Sequence, residues 1–483
     1  MPPNLLDQLD ELKTEFTAAS ARKIERLLTQ LSRKKFIDID LLVRYHEILL
    51  FLRAYPHNAA LVRTVESELR GFANRVSYLE QQGIDLAPLE HPEVSGIAGT
   101  SVTDTFSFFI VRRLQQRHPS QLEIYWEWFE SENRLAATWP RFMPLLAEDA
   151  FVEANVPYRE WLAAARGRRS ELAWLIEQFD KLPKTENERA ELYDSQQLYV
   201  RWTPSFNLSR TGMRLPRGKL FYHRDPLIPR RDVDLRTELA QPPPKLEKLS
   251  PTQGEKALDL ARDSSTTRYR ELYGFTHGDP NDVYRAELGR GVELFIMSLP
   301  EEKRLPLRTY HAVMIYKNGV AIGYFEGLSL FERMESGFNL YYTFRDGETA
   351  WLYARVLNVM HHFAGVTAFS LDPYQIGFEN EEGIASGAFW FYRKLGFRPT
   401  QPDALQLALK EEEKLRTRKG YRTSAATLRK LARSPMIFEL EEQRIGDWDR
   451  FQIRKIGFRA QQDQKVLELI TKGDRDTIIK LGS

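Results

Sequence analysis

The residues of this 483-residue chain with the clearest chemical potential lie between Glu326 and Tyr392. Arg345-Asp346-Gly347-Glu348-Thr349-Ala350 leads straight into a helical pattern from Trp351 to Phe363. The first turn of a helix leaves amides without partners and carries partial positive charge, so such a loop can hold a diphosphate, with Arg345 adding a cation. Glu348 suits any helix start, and a bound diphosphate would require its carboxylate to point away. Upstream, Glu326 stands among Tyr324, Phe325 and Leu328, where a buried carboxylate has a raised pKa and can act as a general base. Glu381, Glu382, His361 and His362 compete for that role. His361 and His362 are adjacent on a helix and face different ways, so at most one could reach a site.

A sheet and helices must hold these groups. Tyr310 to Lys317 and Val320 to Glu326 flank Asn318-Gly319, a strong hairpin signal. A turn over Glu332 to Ser336 and a third strand over Gly337 to Phe344 follow. Val366 to Leu371 reads as the next strand, ended by Asp372-Pro373. Phe389, Tyr392 and Leu395 then recur at helical spacing, Arg393 and Lys394 suit the negative end of the helix dipole, and Gly396 can take the left-handed stop. A strand from Phe397 is expected after it. Before the hairpin, Lys245 to Leu249 is a short strand candidate and Thr252 to about Arg262 a helix, while His277 to Pro300 is an insertion with no assigned place.

The tail from Gly387 to Pro399 resembles the closing motif of the GNAT acyltransferase superfamily: Ala388, Tyr392, Gly396 and Phe397 match its alanine, the tyrosine four residues on and the Gly-Phe pair. The order strand, helix, hairpin, strand, helix, strand, helix, strand is also the GNAT order. Arg345 and Ala350 fit the family's pyrophosphate loop, Glu348 stands where glycine is expected, and Gly347 is a shifted substitute. The resemblance covers about residues 243 to 400, roughly a third of the chain. It implies an acyl-coenzyme A cosubstrate held by Arg345, Gly347, Thr349, Ala350 and Asn380, and an amine acceptor, a small molecule or a protein. Glu326 would be the base and Tyr392 the acid that protonates the departing thiolate. The family's asparagine position, three residues before the alanine, is Ala385 here, and Asn380 lies about a helical turn further back. A packing role for Tyr392 on an aromatic-rich helix is the competing reading.

At 42% hydrophobic and 28% charged residues the composition is that of a soluble globular protein of two or three domains. No apolar run approaches the ~20 residues that span a bilayer, and the start lacks the pattern of a signal peptide, so no membrane partner and a cytoplasmic location are expected. The absence of cysteine excludes disulfides, thiolate metal sites and cysteine nucleophiles. A net charge of +2 argues against a generally nucleic-acid-binding surface.

The fold class expected is α+β: an all-helical domain over 1–200, a basic Pro/Gly-rich connector over 201–242, a GNAT-like mixed-sheet domain with helices on both faces over 243–402, and a helical extension over 403–483. In the first domain, His46 and His57 lack further ligands at metal spacing and read as surface or core-edge residues. The series Trp126, Trp128, Phe129, Trp139, Phe142, Phe151, Tyr158 and Trp161 reads as core before it reads as a pocket. In the connector, Arg210, Arg214 and Arg217 could meet a phosphorylated ligand, an acidic partner or single-stranded RNA, with a solvated linker or a strand pair crossing the domain boundary as the alternatives. Three functions remain open: an acyl-coenzyme A-dependent N-acyltransferase, a degenerate fold used as a binding or scaffold module, and a tRNA-dependent aminoacyl transferase.

Overall fold

The computed structural model describes residues 5–153, 155–216 and 218–483, and the chain divides into two compact units. The first comprises residues up to 217 and 258–276; the second comprises 218–257 and 277–483. No helix among the described residues is long and apolar enough to cross a membrane.

In the first unit the helices Ala18–Ser32, Ile39–Ala54, Ala59–Arg70 and Phe72–Gln81 form where apolar residues recur three or four apart. Thr17 and Ser20 make a capping box, and Asp38 and Asn58 cap the next two helices by accepting the amides of Leu41 and Leu61. The unit is not all-helical: β1 (Val102–Asp104) and β2 (Leu122–Ile124) flank β3 (Val200–Trp202) in an antiparallel sheet. Strands of three residues are too short to show alternation in the sequence. Of the aromatic series, Trp139 and Tyr158 are core, Trp126, Phe129, Phe142 and Trp161 pack against it, and Trp128 and Phe151 are exposed.

The start of the expected connector is built into this unit. Thr211 is fully buried and meets His46 Nε2 at 2.8 Å; Arg210 pairs with Glu47 at 2.9 Å and Arg214 with Glu66 at 2.5 Å. Gly212 runs so close to Phe206 that a Cβ would stand 2.0 Å from its carbonyl oxygen, so no other residue fits. Residues 201–216 are therefore part of a packed body and not a solvated linker, while Arg217 lies outside the described residues. Both histidines are buried, His57 with Nε2 3.0 Å from the Glu15 carbonyl.

The second unit carries β4 (Leu246–Lys248), β5 (Val283–Gly289), β6 (Val292–Met297), β7 (Thr309–Lys317), β8 (Val320–Leu330), β9 (Arg333–Leu340), β10 (Ala368–Leu371), β11 (Arg398–Pro399) and β12 (Met436–Glu439). They form one mixed sheet in the order β11-β12-β10-β9-β8-β7-β6-β5-β4, parallel at β9 and β10 and antiparallel elsewhere. Asn318 and Gly319 both take positive φ, 49° and 80°, the twist a two-residue hairpin turn needs. The unplaced segment from His277 to Pro300 contains the hairpin of β5 and β6.

Three details differ from the sequence reading. The expected turn over Glu332 to Ser336 is mostly strand: Arg333 and Glu335 alternate with the buried Met334 and Ser336 along β9, and the chain turns at Phe331 (φ 53°) instead. The helix before Gly396 is two short helices, Glu381–Ser386 and Ala388–Arg393, broken at Gly387 (φ 70°). The C-terminal extension supplies β12, which inserts between β10 and β11, so 403–483 is not purely helical. One sheet face, with Leu330, Ala368 and Ile437, packs with Trp448, Phe451, Ile456 and Ile478. On the other face Ser336 and Phe338 meet Tyr353 of the helix Thr349–Ala364.

Candidate active site

β9 and β10 pair only from Arg333 to Glu335 and from Ala368 to Ser370. Beyond that point they part and leave a wedge, with the helix Thr349–Ala364 joining them as the crossover. A separating parallel pair exposes backbone groups that the neighbouring strand no longer satisfies. Here the Phe338 carbonyl accepts Gln375 Nε2 at 3.1 Å, from the turn Pro373–Ile376 that follows β10. The Gln375 side chain also lies beside the Tyr392 phenol.

Tyr392 is 3% exposed, its ring 5.5 Å from Tyr353 and 5.8 Å from Phe397. Burial pushes its phenol well above the usual tyrosine value, with the Gln375 amide offsetting part of this, so it stays protonated at neutral pH. It is a packing residue with one polar neighbour.

Glu326 lies on β8 opposite Gly337 of β9. The Tyr310 hydroxyl donates to its carboxylate. Burial raises its pKa above the usual glutamate value, and the tyrosine bond counteracts only part of that. Gly337 leaves the surface bare at this point: a Cβ there would stand 3.9 Å from Glu326 Cβ and 3.7 Å from Gln375 Oε1. Glu326 and Gln375 thus flank Gly337, with Tyr392 beside Gln375.

At the start of the helix Thr349–Ala364, Glu348 occupies the N-cap position without a side-chain cap bond. Its carboxylate turns inward, 2% exposed, to Arg290 at 2.5 Å and Lys317 at 3.4 Å, and accepts the Ile228 amide at 3.2 Å. Burial lowers the Lys317 ammonium to about 8, against the pull of Glu348. Arg345 is held by Glu382 at 2.5 Å and donates to the Leu340 carbonyl, and its guanidinium lies over the Tyr342 ring. The Gly347 amide bonds the Phe344 carbonyl, Thr349 Oγ1 donates to the Arg345 carbonyl at 3.0 Å, and Ala350 is buried. Asn380 caps the helix Glu381–Ser386, accepting from Gly383 and donating to the Tyr374 carbonyl.

The competing bases have other engagements. His361 Nδ1 is 2.6 Å from the Val366 carbonyl, His362 Nε2 3.3 Å from that of Gln241, and Glu381 pairs with Arg429 at 2.7 Å. Sequence reasoning missed Gln375, Tyr310 and the pair of Arg290 and Lys317 on Glu348. A polar residue in the turn after a strand that loses its neighbour is the signal that could have found Gln375. Comparison of the chain with family models, curated proteins and solved structures finds no match.

Proposed function

We propose that the second unit is an N-acyltransferase that takes its acyl group from an acyl-coenzyme A and has a GNAT-like fold. The observation that carries this reading is the nearness of Glu326, a base with a raised pKa, and of Gln375, the neighbour of the buried neutral Tyr392, on either side of Gly337. The strand order, with a single parallel pair bridged by a helix and β12 inserted beside β10, supports the fold.

Glu326 takes the proton of the attacking amine, and Tyr392 donates one towards the leaving thiolate. For a thioester to lie in the wedge the Gln375 side chain must swing aside, and the Phe338 carbonyl it releases can accept an amide N–H of the ligand. The inward turn of Glu348 keeps its charge off the first amides of the helix, where a diphosphate would dock with Arg345 beside it. Calorimetry with coenzyme A and acetyl-coenzyme A tests this. Micromolar affinity is expected, about −8 kcal/mol, and failure of both ligands at millimolar concentration, with the wild type and with Gln375→Ala, removes the reading.

One feature favours a binding or scaffold module instead: Arg345 is already neutralised by Glu382. On that reading Glu382→Gln leaves coenzyme A binding absent; on the acyltransferase reading it frees Arg345 and tightens binding.

A further inference from the structure

In the first unit, the helix Ala18–Ser32 runs out into Arg33-Lys34-Lys35-Phe36. The carbonyls at a helix end need donors, and cations there usually supply them and answer the helix dipole. Here Arg75, from the helix Phe72–Gln81, does that work: Nη2 donates to the Ser32 carbonyl at 3.1 Å and Nη1 to the Lys34 carbonyl at 3.0 Å. The same guanidinium pairs with Glu68 at 2.8 Å, and the Tyr45 hydroxyl donates to that carboxylate at 2.9 Å. It lies 5.5 Å from the centre of the Phe36 ring and 5.4 Å from that of Tyr45. Arg75 and Glu68 are therefore a fixed, mutually neutralised pair. The side chains of Arg33, Lys34 and Lys35 are left without a part in closing the helix.

Arg75 and Glu68 also line a cavity of about 390 Å³, which the segment from Ser32 to Phe36 closes on one side and Ser67, Asn74 and Tyr78 on the other. Among the charged residues of its lining, Arg33, Lys34, Lys35 and Arg75 face a single carboxylate, Glu68, which Arg75 already neutralises. Arg33, Lys34 and Lys35 are exposed, and among the described residues none of them forms a salt bridge. Lys35 rests on an aromatic face instead, its Nζ 4.8 Å from the centre of the Tyr78 ring. Ser67 and Asn74 are exposed at the same cavity, with side-chain donors that bond no other described residue. Like charges on three consecutive residues repel one another, and an anion held between them offsets that repulsion.

We propose that this cavity binds a small phosphorylated molecule. Arg33, Lys34 and Lys35 hold the phosphate, Ser67 and Asn74 add hydrogen bonds, and the Tyr78 ring takes the organic part once Lys35 turns to the phosphate. Charge favours a phosphate over a carboxylate: a monoester carries about −1.5 to −2 at neutral pH and offers three acceptor oxygens, enough to engage more than one cation. Size favours a small molecule over a nucleic acid, because a volume of about 390 Å³ holds one compact ligand, whereas a strand needs cations and aromatic platforms spread along a groove. All the residues involved belong to the first unit, so the site does not rest on the acyltransferase reading of the second.

Calorimetry on the full-length chain tests this, with adenosine monophosphate beside adenosine and glycerol phosphate beside glycerol. At least one phosphorylated probe should bind about tenfold or more tightly than its neutral counterpart, the scale of a charge-assisted hydrogen bond. The double variant Lys34→Gln with Lys35→Gln should weaken that probe by about tenfold or more, with thermal melts confirming that it folds. Arg345→Gln, in the second unit, should leave the affinity unchanged. Binding that Arg345→Gln abolishes and the lysine variant leaves intact puts the phosphate at the helix start before Thr349 and overturns the proposal. Phosphorylated probes that bind no better than the neutral ones overturn it too, as does a panel without any binding. A single-stranded RNA of about ten nucleotides that binds more tightly than every small probe replaces it with a nucleic-acid site.

Discussion

Two carboxylates of the second unit, Glu348 and Glu326, are both removed from much of their water, and their surroundings treat them in opposite ways. Glu348 meets two cations and a backbone amide; Glu326 meets one tyrosine hydroxyl. Taking a charge out of water costs several kcal/mol, which ion pairing and hydrogen bonds must offset. At Glu348 two cations and an amide supply them, so the group is part of the scaffold at the start of a helix. At Glu326 one hydroxyl is too little, and burial raises the pKa, as the proposed base requires. Partners, more than burial, distinguish a structural carboxylate from a reactive one.

The largest expected effect comes from removing the scaffold charge. Glu348→Gln leaves Lys317 and Arg290 facing each other without compensation at the positive end of a helix, and should cost about 3–5 kcal/mol of stability. Glu326→Gln, which replaces a poorly solvated carboxylate by a neutral isostere, should change stability by less than ~1 kcal/mol in either direction. Urea denaturation of both variants measures the contrast. Equal losses would erase the distinction drawn between the two sites.

Turnover should show the reverse order. Glu326→Gln is expected to lower kcat/KM by ~10²–10⁴-fold while the protein stays folded, the usual range for loss of a general base. A Glu326→Gln protein with wild-type turnover would assign the proton transfer elsewhere.

Much of this contrast could be read from the sequence, and the part that could not depends on one bulge. The turn Asn318-Gly319 announced the hairpin, and the run into Trp351 announced the helix whose start Glu348 occupies. Continued regularly from that turn, β7 and β8 would set Glu326 opposite His311. A register shift at Ile315 and Tyr316 sets it opposite Ala312 and brings Tyr310 onto its face. No local residue signal marks that shift, so the partner of the proposed base was invisible. The fate of Glu348 was hidden for a different reason: Arg290 and Ile228 come from distant segments, and only the assembled sheet brings them to it. A strand as short as β12, with four residues, carries too few for a pattern, and so the C-terminal extension read as helix throughout.

The two sites should also respond to pH with opposite sign. Lys317, the partner of Glu348, has a folded pKa lowered to about 8, so between there and its unfolded value the unfolded chain binds more protons, and stability rises with pH across that window. Glu326 has a raised folded pKa, so its contribution is fully present below the unfolded value and is lost as pH rises through the folded one. Stability measured against Lys317→Met should therefore climb from about pH 8 upward, by up to ~3 kcal/mol. Measured against Glu326→Gln it should fall from about pH 4.5 upward. Parallel curves for a variant and the wild type would show that the residue does not titrate as its surroundings dictate.

The smallest effect is expected at Gln375, at the mouth of the wedge beside Tyr392. Its amide bonds the Phe338 carbonyl at 3.1 Å, so Gln375→Ala removes one hydrogen bond from a partly buried partner. Water entering the opened wedge can replace it, which limits the stability loss to about 1 kcal/mol. If the side chain stands where a ligand amide belongs, the same variant should bind coenzyme A more tightly, because the ligand no longer competes with an internal group for the Phe338 carbonyl. Calorimetry on wild type and variant compares the two affinities directly. Weaker binding by Gln375→Ala would mean that Gln375 contacts the ligand instead of yielding to it, and the wedge would then be closed to the thioester as it stands.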